Sequence, residues 1–360
     1  MRSYPIQQHG GVDREELTRL GLQAGQVLDF STNMNPLGLS PKVAEALARV
    51  DPSSYPDPSC AALRKGIAEA CGVSPEHVLA GNGSTELVHL AARAFLRSQD
   101  TVAIFTPTFG EYQRAAEAVG ARVVAIPAPE PGSFRWDVER ASQRMKTLKP
   151  RLVFLCNPNN PTGVYLSQAE LVHLLDSLGD AILVVDEAYL SFVDAPWRCE
   201  DLAQAHDNVI VVRSMTKAWG MPGVRLGYAL ASQERIQAMA RQQPTWSVSA
   251  YAQAAGLAAL GDTTHVEQGR KLAREAMAYL ERELAALGLR AQPTSANFML
   301  VHVGDAAAVR AALLRRGVNV RDCTSFGLPA YIRVVARPIP ECERLLAAMQ
   351  RTAPSGRYTF

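Results

Sequence analysis

The 360-residue sequence predicts an α/β fold built on a mostly parallel sheet, on three observations. From about residue 78, short apolar runs alternate with helix-period segments, the pattern of repeated βα units. Several of those runs are apolar throughout and rich in β-branched residues, as strands covered on both faces must be. Polar segments rich in glycine and asparagine follow several runs directly, at the edge where an open parallel sheet binds its ligands.

The strand candidates are VLAG (78–81), TVAIF (101–105), RVVAI (122–126), RLVFL (151–155), AILVV (181–185), NVIVV (208–212) and RLGYALA (225–231). TELVHLAARAFL (85–96) and AELVHLLDSL (169–178) read as helices between them. One long helical stretch follows, from about 248 to 286. The remainder reads as a small α+β unit: NFMLVHV (297–303), a helix over 306–317, VNVRD, YIRVVA and a helix over 341–349. The expected division is an N-terminal arm with part of the small domain (1–45), a large sheet domain (46–250), a connecting helix (251–286) and a small C-terminal domain (287–360).

Composition narrows the class. Hydrophobic residues make up 48% and charged residues 20%, ordinary for a globular chain, and a net charge of +2 gives no basis for nucleic-acid binding. The cysteines (Cys60, Cys71, Cys156, Cys199, Cys323 and Cys342) form no CxxC pair, and the seven histidines show no ligand spacing. A metal-free protein without a disulfide framework is expected. No run is apolar for long enough to span a bilayer, and MRSYPIQQHGG lacks the apolar core of a signal peptide. The expected setting is cytoplasmic.

Four segments carry the chemistry. LAGNGSTELVHL places Gly83, Ser84 and Thr85 between a strand and a helix start, where backbone N–H groups, hydroxyls and the helix dipole cradle a phosphate. LCNPNNPTG (155–163) brings Asn160 to the end of the next buried run. VVDEAY puts Asp186 at the end of an apolar run, where an unpaired charge is costly and a protonated ring nitrogen is a suitable partner. RSMTKAWGMPGVRLGY (213–228) brings Ser214, Lys217 and Arg225 to the same edge. A lysine there, desolvated and beside other cations, becomes a usable amine nucleophile. Singly, each segment reads as a turn or a solvated loop. Together they meet the demands of pyridoxal 5′-phosphate, which needs a lysine for its aldehyde and a carboxylate for its pyridinium nitrogen.

The ordered set GNGSTE, TPTFGEY, NPNNPTG, VDEAY and SMTKAWGMPGVRLGY resembles the fold-type I pyridoxal-phosphate enzymes of the aspartate aminotransferase superfamily, over nearly the whole chain. The resemblance implies Lys217 as the cofactor's covalent partner and Asp186 at the ring nitrogen. It implies Asn160 and Tyr189 at the phenolic oxygen, with Phe109 stacked on the ring. Ser84, Thr85, Ser214 and Arg225 would hold the cofactor phosphate with the Gly83 amide. It also implies a homodimer with shared sites, in which Tyr55 of SSYPD reaches the partner's cofactor phosphate.

Substrate choice rests on anion recognition. Arg333 in YIRVVAR matches the arginine that grips a substrate carboxylate, leaving Arg321 in VNVRDC for a second anion; Arg337 lies close by. STNMNPLG, with Asn33, and SSYPD fit two relatives, threonine-phosphate decarboxylases and histidinol-phosphate aminotransferases. The opening QQHGGV, with His9 and Gly10, resembles the former, in which such an arm helps bind the substrate phosphate. The expectation is therefore a lyase that decarboxylates L-threonine O-3-phosphate to an aminopropanol phosphate for the cobalamin side chain. The alternatives are a histidinol-phosphate aminotransferase and, from another class, a non-catalytic sensor of the same fold.

Overall fold

The structure is a computed structural model that describes residues 10–129 and 134–352. After β1 (Leu28–Asp29), the seven predicted apolar runs all become strands: β2 (Val78–Gly81), β3 (Thr101–Thr106), β4 (Arg122–Pro127), β5 (Leu152–Cys156), β6 (Ile182–Asp186), β7 (Val209–Ser214) and β8 (Gly227–Leu230). They form one sheet in the order β2-β8-β7-β6-β5-β3-β4. Its central pairs are parallel, and β8 alone runs antiparallel to both neighbours.

Strand alternation splits the core into two layers. Val153, Leu155, Leu183, Val185, Val209 and Val211 pack on one face, and Leu152, Phe154, Ile182, Val184, Ile210 and Val212 on the other. All of them are essentially inaccessible, which is why these strands carry no polar residue until their carboxyl ends.

The C-terminal part builds a second sheet from β9 (Arg290–Ala291), β10 (Phe298–His302), β12 (Arg321–Asp322) and β13 (Tyr331–Val335), all antiparallel in the order β12-β13-β10-β9. β11 (Val318–Asn319) pairs with β1, so the start of the chain joins this smaller unit.

Two local expectations are corrected. The stretch 248–286 is not one helix but two, Ala250–Leu260 and Thr263–Ala286. The break falls at Gly261-Asp262, where the Asp262 carboxylate accepts the Ser40 hydroxyl at 2.6 Å instead of continuing a helical face. The first helix packs on Pro41–Ala48 and Ala61–Cys71, the second on Ile339–Gln350. Arg225, read as the first residue of a strand, stands outside β8 in the left-handed region at φ 60°. Among the described residues no helix is long and apolar enough to cross a membrane.

Candidate active site

The carboxyl ends of β3, β5, β6 and β7 meet the small sheet around a cavity of about 390 Å³, continued by a narrower recess of about 70 Å³. Every described residue assigned to the site from sequence lines this space, with two exceptions taken up below: Gly83, which abuts it, and Tyr55, which does not.

The recess is built from strand ends. The helix Gly83–Phe95 starts directly after β2, and its N-cap Asn82 makes no side-chain cap, so first-turn N–H groups stay available to an anion. Ser84, Thr85, Ser214 and Arg225 converge there, and the Ser214 and Thr216 hydroxyls lie 2.8 Å apart. Gly83 sits at φ 77°, and a Cβ on it would lie 2.5 Å from the Arg225 guanidinium. That guanidinium is brought in by the left-handed backbone of Arg225 itself, a conformation that non-glycine residues hold only at a cost of about 1–2 kcal/mol. A cationic group, two serines, a threonine and an uncapped helix start fit a phosphate.

At the other end of the recess Asp186 closes β6. Its Oδ1 accepts the Ala188 N–H at 3.0 Å and its Oδ2 the Tyr112 O–H at 2.8 Å. Burial pushes this carboxyl up to about 6, against the pull of those two bonds and of Lys217. Lys217 is moved the other way: burial first, then the charges of Arg225 and Arg333, lower its amine to about 8. It is thus a nucleophilic amine near neutral pH. The lysine loop is strapped down by STNMNPLG: the Asn35 N–H donates to Lys217 O at 3.0 Å and its Nδ2 to Ala218 O at 2.7 Å. The donor set of phosphate cradle, buried acid, buried amine and the Phe109 ring matches pyridoxal 5′-phosphate group by group.

The wider cavity holds the anion-binding residues. Arg321 and Arg333 are cross-strand partners in β12 and β13, both line the cavity and both are nearly buried. Arg333 donates Nη2 to Ser31 O at 2.8 Å and Nη1 to Asn160 Oδ1, with its Nε buried and without a partner among the described residues. Arg321 is steadied by Ser325 Oγ at 2.6 Å and by the Phe326 ring. Burial lowers both guanidinium pKa values, and Arg333 adds to the effect on Arg321. The buried Tyr189 hydroxyl accepts Asn33 Nδ2 at 3.2 Å and is pushed up to about 12 by desolvation, which keeps its proton on.

His9 lies outside the described residues. Gly10, the next one, lines the cavity, and a Cβ there would stand 2.2 Å from Ser31 O, so the chain passes this point only as glycine. Gly11 N donates to Ser31 Oγ at 2.7 Å, fixing the segment to the bend that follows β1. Tyr55 is 81% exposed and stacks on Trp246 at 4.5 Å, away from its own chain's cavity. Arg337 does not line the cavity; its Nε pairs with Glu341 at 2.6 Å. Sequence reasoning missed Tyr112, Thr216, Asn35 and Ser325. Tyr112 and Thr216 sat inside quoted motifs, but only the folded register shows what their hydroxyls reach.

The description aminotransferase class I and II matches residues 25–349. A histidinol-phosphate aminotransferase of Anaeromyxobacter sp. (strain Fw109-5) is 39% identical over 334 residues, 90% of each chain. Seven further curated relatives, 32–38% identical, carry the same activity in their names. The crystal structure of histidinol-phosphate aminotransferase from Sinorhizobium meliloti, in complex with pyridoxal-5′-phosphate, superposes with a TM-score of 0.84 at 26% identity over 98% of both chains. L-threonine-O-3-phosphate decarboxylase from Porphyromonas gingivalis gives 0.78 at 26% identity, over 90% of this chain and 98% of that one.

These findings overturn the expected decarboxylase and its lyase class, since relatives similar along nearly the whole chain are named as aminotransferases. The physical reason for the error is plain. An arginine pair serves any anionic substrate, so the choice had rested on a few residues at the chain start.

Proposed function

The chain belongs to the aminotransferase class I and II family, and from that premise we propose that it is a histidinol-phosphate aminotransferase, passing the amino group of L-histidinol phosphate to 2-oxoglutarate. The fold is that of fold-type I pyridoxal-phosphate enzymes, and pyridoxal 5′-phosphate is its cofactor. When bound, the cofactor supplies an aldehyde for the amine and a protonated ring that draws electrons from Cα.

What supports the named activity is the likeness to histidinol-phosphate aminotransferases along nearly the whole chain; the Arg321–Arg333 pair supplies the anion site it requires. Like charges placed opposite each other in adjacent antiparallel strands repel. An anion between them removes that repulsion, and bidentate guanidinium forks suit phosphate and carboxylate alike. The phosphate monoester of the donor and the paired carboxylates of the acceptor are both dianionic, so one arginine pair serves both substrates. Lys217, unprotonated in a large fraction near pH 8, moves the proton at the substrate's Cα. Asn160, held by Arg333, and Tyr189, held by Asn33, line the same cavity as Phe109 in fixed positions, which restricts how an amine can be oriented there. The protein is read as a homodimer, with Tyr55 serving the partner's phosphate cradle. Its exposure, and that of Leu37, Leu39 and Tyr251, supports a second copy as the covering surface.

The test is glutamate production from L-histidinol phosphate and 2-oxoglutarate. Glutamate should form at a rate dependent on both substrates and collapse in Arg321→Met. No glutamate from the cofactor-loaded protein overturns the proposal.

A further inference from the structure

Tyr112 has no assigned part in the site, yet it touches the acid on which the cofactor ring depends. It is fully buried, the second residue of the helix Glu111–Ala118. Its ring stacks on Phe154, with centroids 5.2 Å apart and planes at 12°, and stands edge-on to Phe109 at 5.7 Å. Its hydroxyl donates to Asp186 Oδ2 at 2.8 Å, across 74 residues of sequence. The helix start is pinned as well. Glu111, its neighbour, accepts His89 Nε2 at 3.1 Å and Arg114 Nη1 at 3.3 Å, and His89 belongs to the helix that begins at the phosphate cradle. The phenol therefore has little freedom to turn away.

We infer that Tyr112 is a positioning residue that, through the Asp186 carboxylate, keeps the shared proton on the cofactor's ring nitrogen and off the acid. An O–H donor to a carboxylate stabilises the ionised form, and in a dry site such a bond is strong. With Oδ1 taken by Ala188 N and Oδ2 by Tyr112, Asp186 is a weaker base than burial alone would make it. A weaker base leaves the proton on the pyridine, where it sustains electron withdrawal. No bond is made or broken by Tyr112, and the proton it donates towards Asp186 stays on its own oxygen, because burial raises the phenol well above its ordinary range. Because Tyr112 acts on the cofactor, its role holds for whichever amino donor the site takes.

The experiment uses the holoenzyme without any amino donor, loaded with pyridoxal 5′-phosphate labelled with ¹⁵N in the ring. In the wild type the ¹⁵N resonance should sit at the protonated position. In Tyr112→Phe, which keeps both ring contacts, it should move towards unprotonated pyridine, because loss of a charge-assisted bond raises the carboxyl pKa by about one to two. With 3-fluorotyrosine at position 112, a stronger donor of the same shape, it should hold or move the other way. A second readout is the affinity of the apoprotein for the cofactor relative to its 1-deaza analogue, which carries C–H in place of the ring nitrogen. That ratio should fall about tenfold in Tyr112→Phe, equivalent to about 1.4 kcal/mol. An unchanged ¹⁵N shift with an unchanged ratio overturns the inference and leaves Tyr112 as packing alone. Should Tyr112→Phe fail to fold, the fluorotyrosine protein decides, and a move towards the unprotonated position refutes it.

Discussion

Lys217 offers the sharpest test of how this site is built, because its chemistry and its cost have one origin. Its amine ionises at about 8 in the folded protein against an ordinary 10.5, with burial the largest cause and Arg225 and Arg333 next. At pH 7 the unfolded chain holds that proton far more readily than the folded one. The difference, at 1.36 kcal/mol per pKa unit, weakens the cofactor-free fold by about 3 kcal/mol. The penalty is complete below pH 8. It fades as pH rises from 8 towards 10.5, where both states lose the proton. Lys217→Met, close in volume and uncharged, should therefore stabilise the apoprotein by up to about 3 kcal/mol at pH 7 and by almost nothing at pH 10.5. The assay is urea unfolding of wild type and variant without cofactor, followed by tryptophan fluorescence at both pH values. No gain at pH 7, or the same gain at both, would refute the claim that desolvation and neighbouring cations make the nucleophile.

Two further perturbations probe the frame. Gly83→Ala places a methyl group against the Arg225 guanidinium and strains a backbone at φ 77°, so cofactor affinity should fall about 10- to 100-fold, the value of one charged phosphate contact; fluorescence titration of apoprotein reads it, and an unchanged affinity would remove Arg225 from the cradle. Glu187→Ala strips a buried partner from Arg213, whose Nε it accepts at 2.8 Å, and should cost about 3–5 kcal/mol of stability by thermal or urea unfolding. A loss below about 1 kcal/mol would mean that Glu200 alone compensates the arginine.

Much of this molecule was legible because its sheet is covered on both faces. Such strands cannot hide a polar residue, so each apolar run ended visibly where Asp186, Ser214 or the segment leading to Asn160 began. Motif order then brought Lys217, Arg225 and the Gly83 turn to one edge. What stayed hidden depends on register and backbone torsion. The pairing of Arg321 with Arg333 follows from a strand alignment across a turn, and the reach of Arg225 from a left-handed residue. The Tyr112–Asp186 bond joins segments that no periodicity connects. Asn35 lay in STNMNPLG with no assigned part, yet it carries the lysine loop through Lys217 O and Ala218 O. The helical stretch after residue 248 was over-extended because its alanine-rich composition is helix-forming throughout, while Ser40, which engages Asp262 at the break, lies over two hundred residues away. Substrate choice was misjudged for a different reason: anion-binding arginines specify charge, not identity.

The two dipeptides Asp186-Glu187 and Arg213-Ser214 face opposite ways. Asp186 and Ser214 line the recess, while Glu187 and Arg213 meet behind the sheet together with Glu200. A strand that slipped by one position would present Glu187 or Arg213 to the cofactor, a side chain of the wrong reach or the wrong sign. It would also leave the opposing charge stranded in the interior. The rear ion pair thus acts as a proofreading lock: it forms only when the catalytic face is correctly indexed, and a mispaired sheet is penalised before any ligand arrives. Substitutions meant to redirect this enzyme to new amines have very little freedom at this hidden pair.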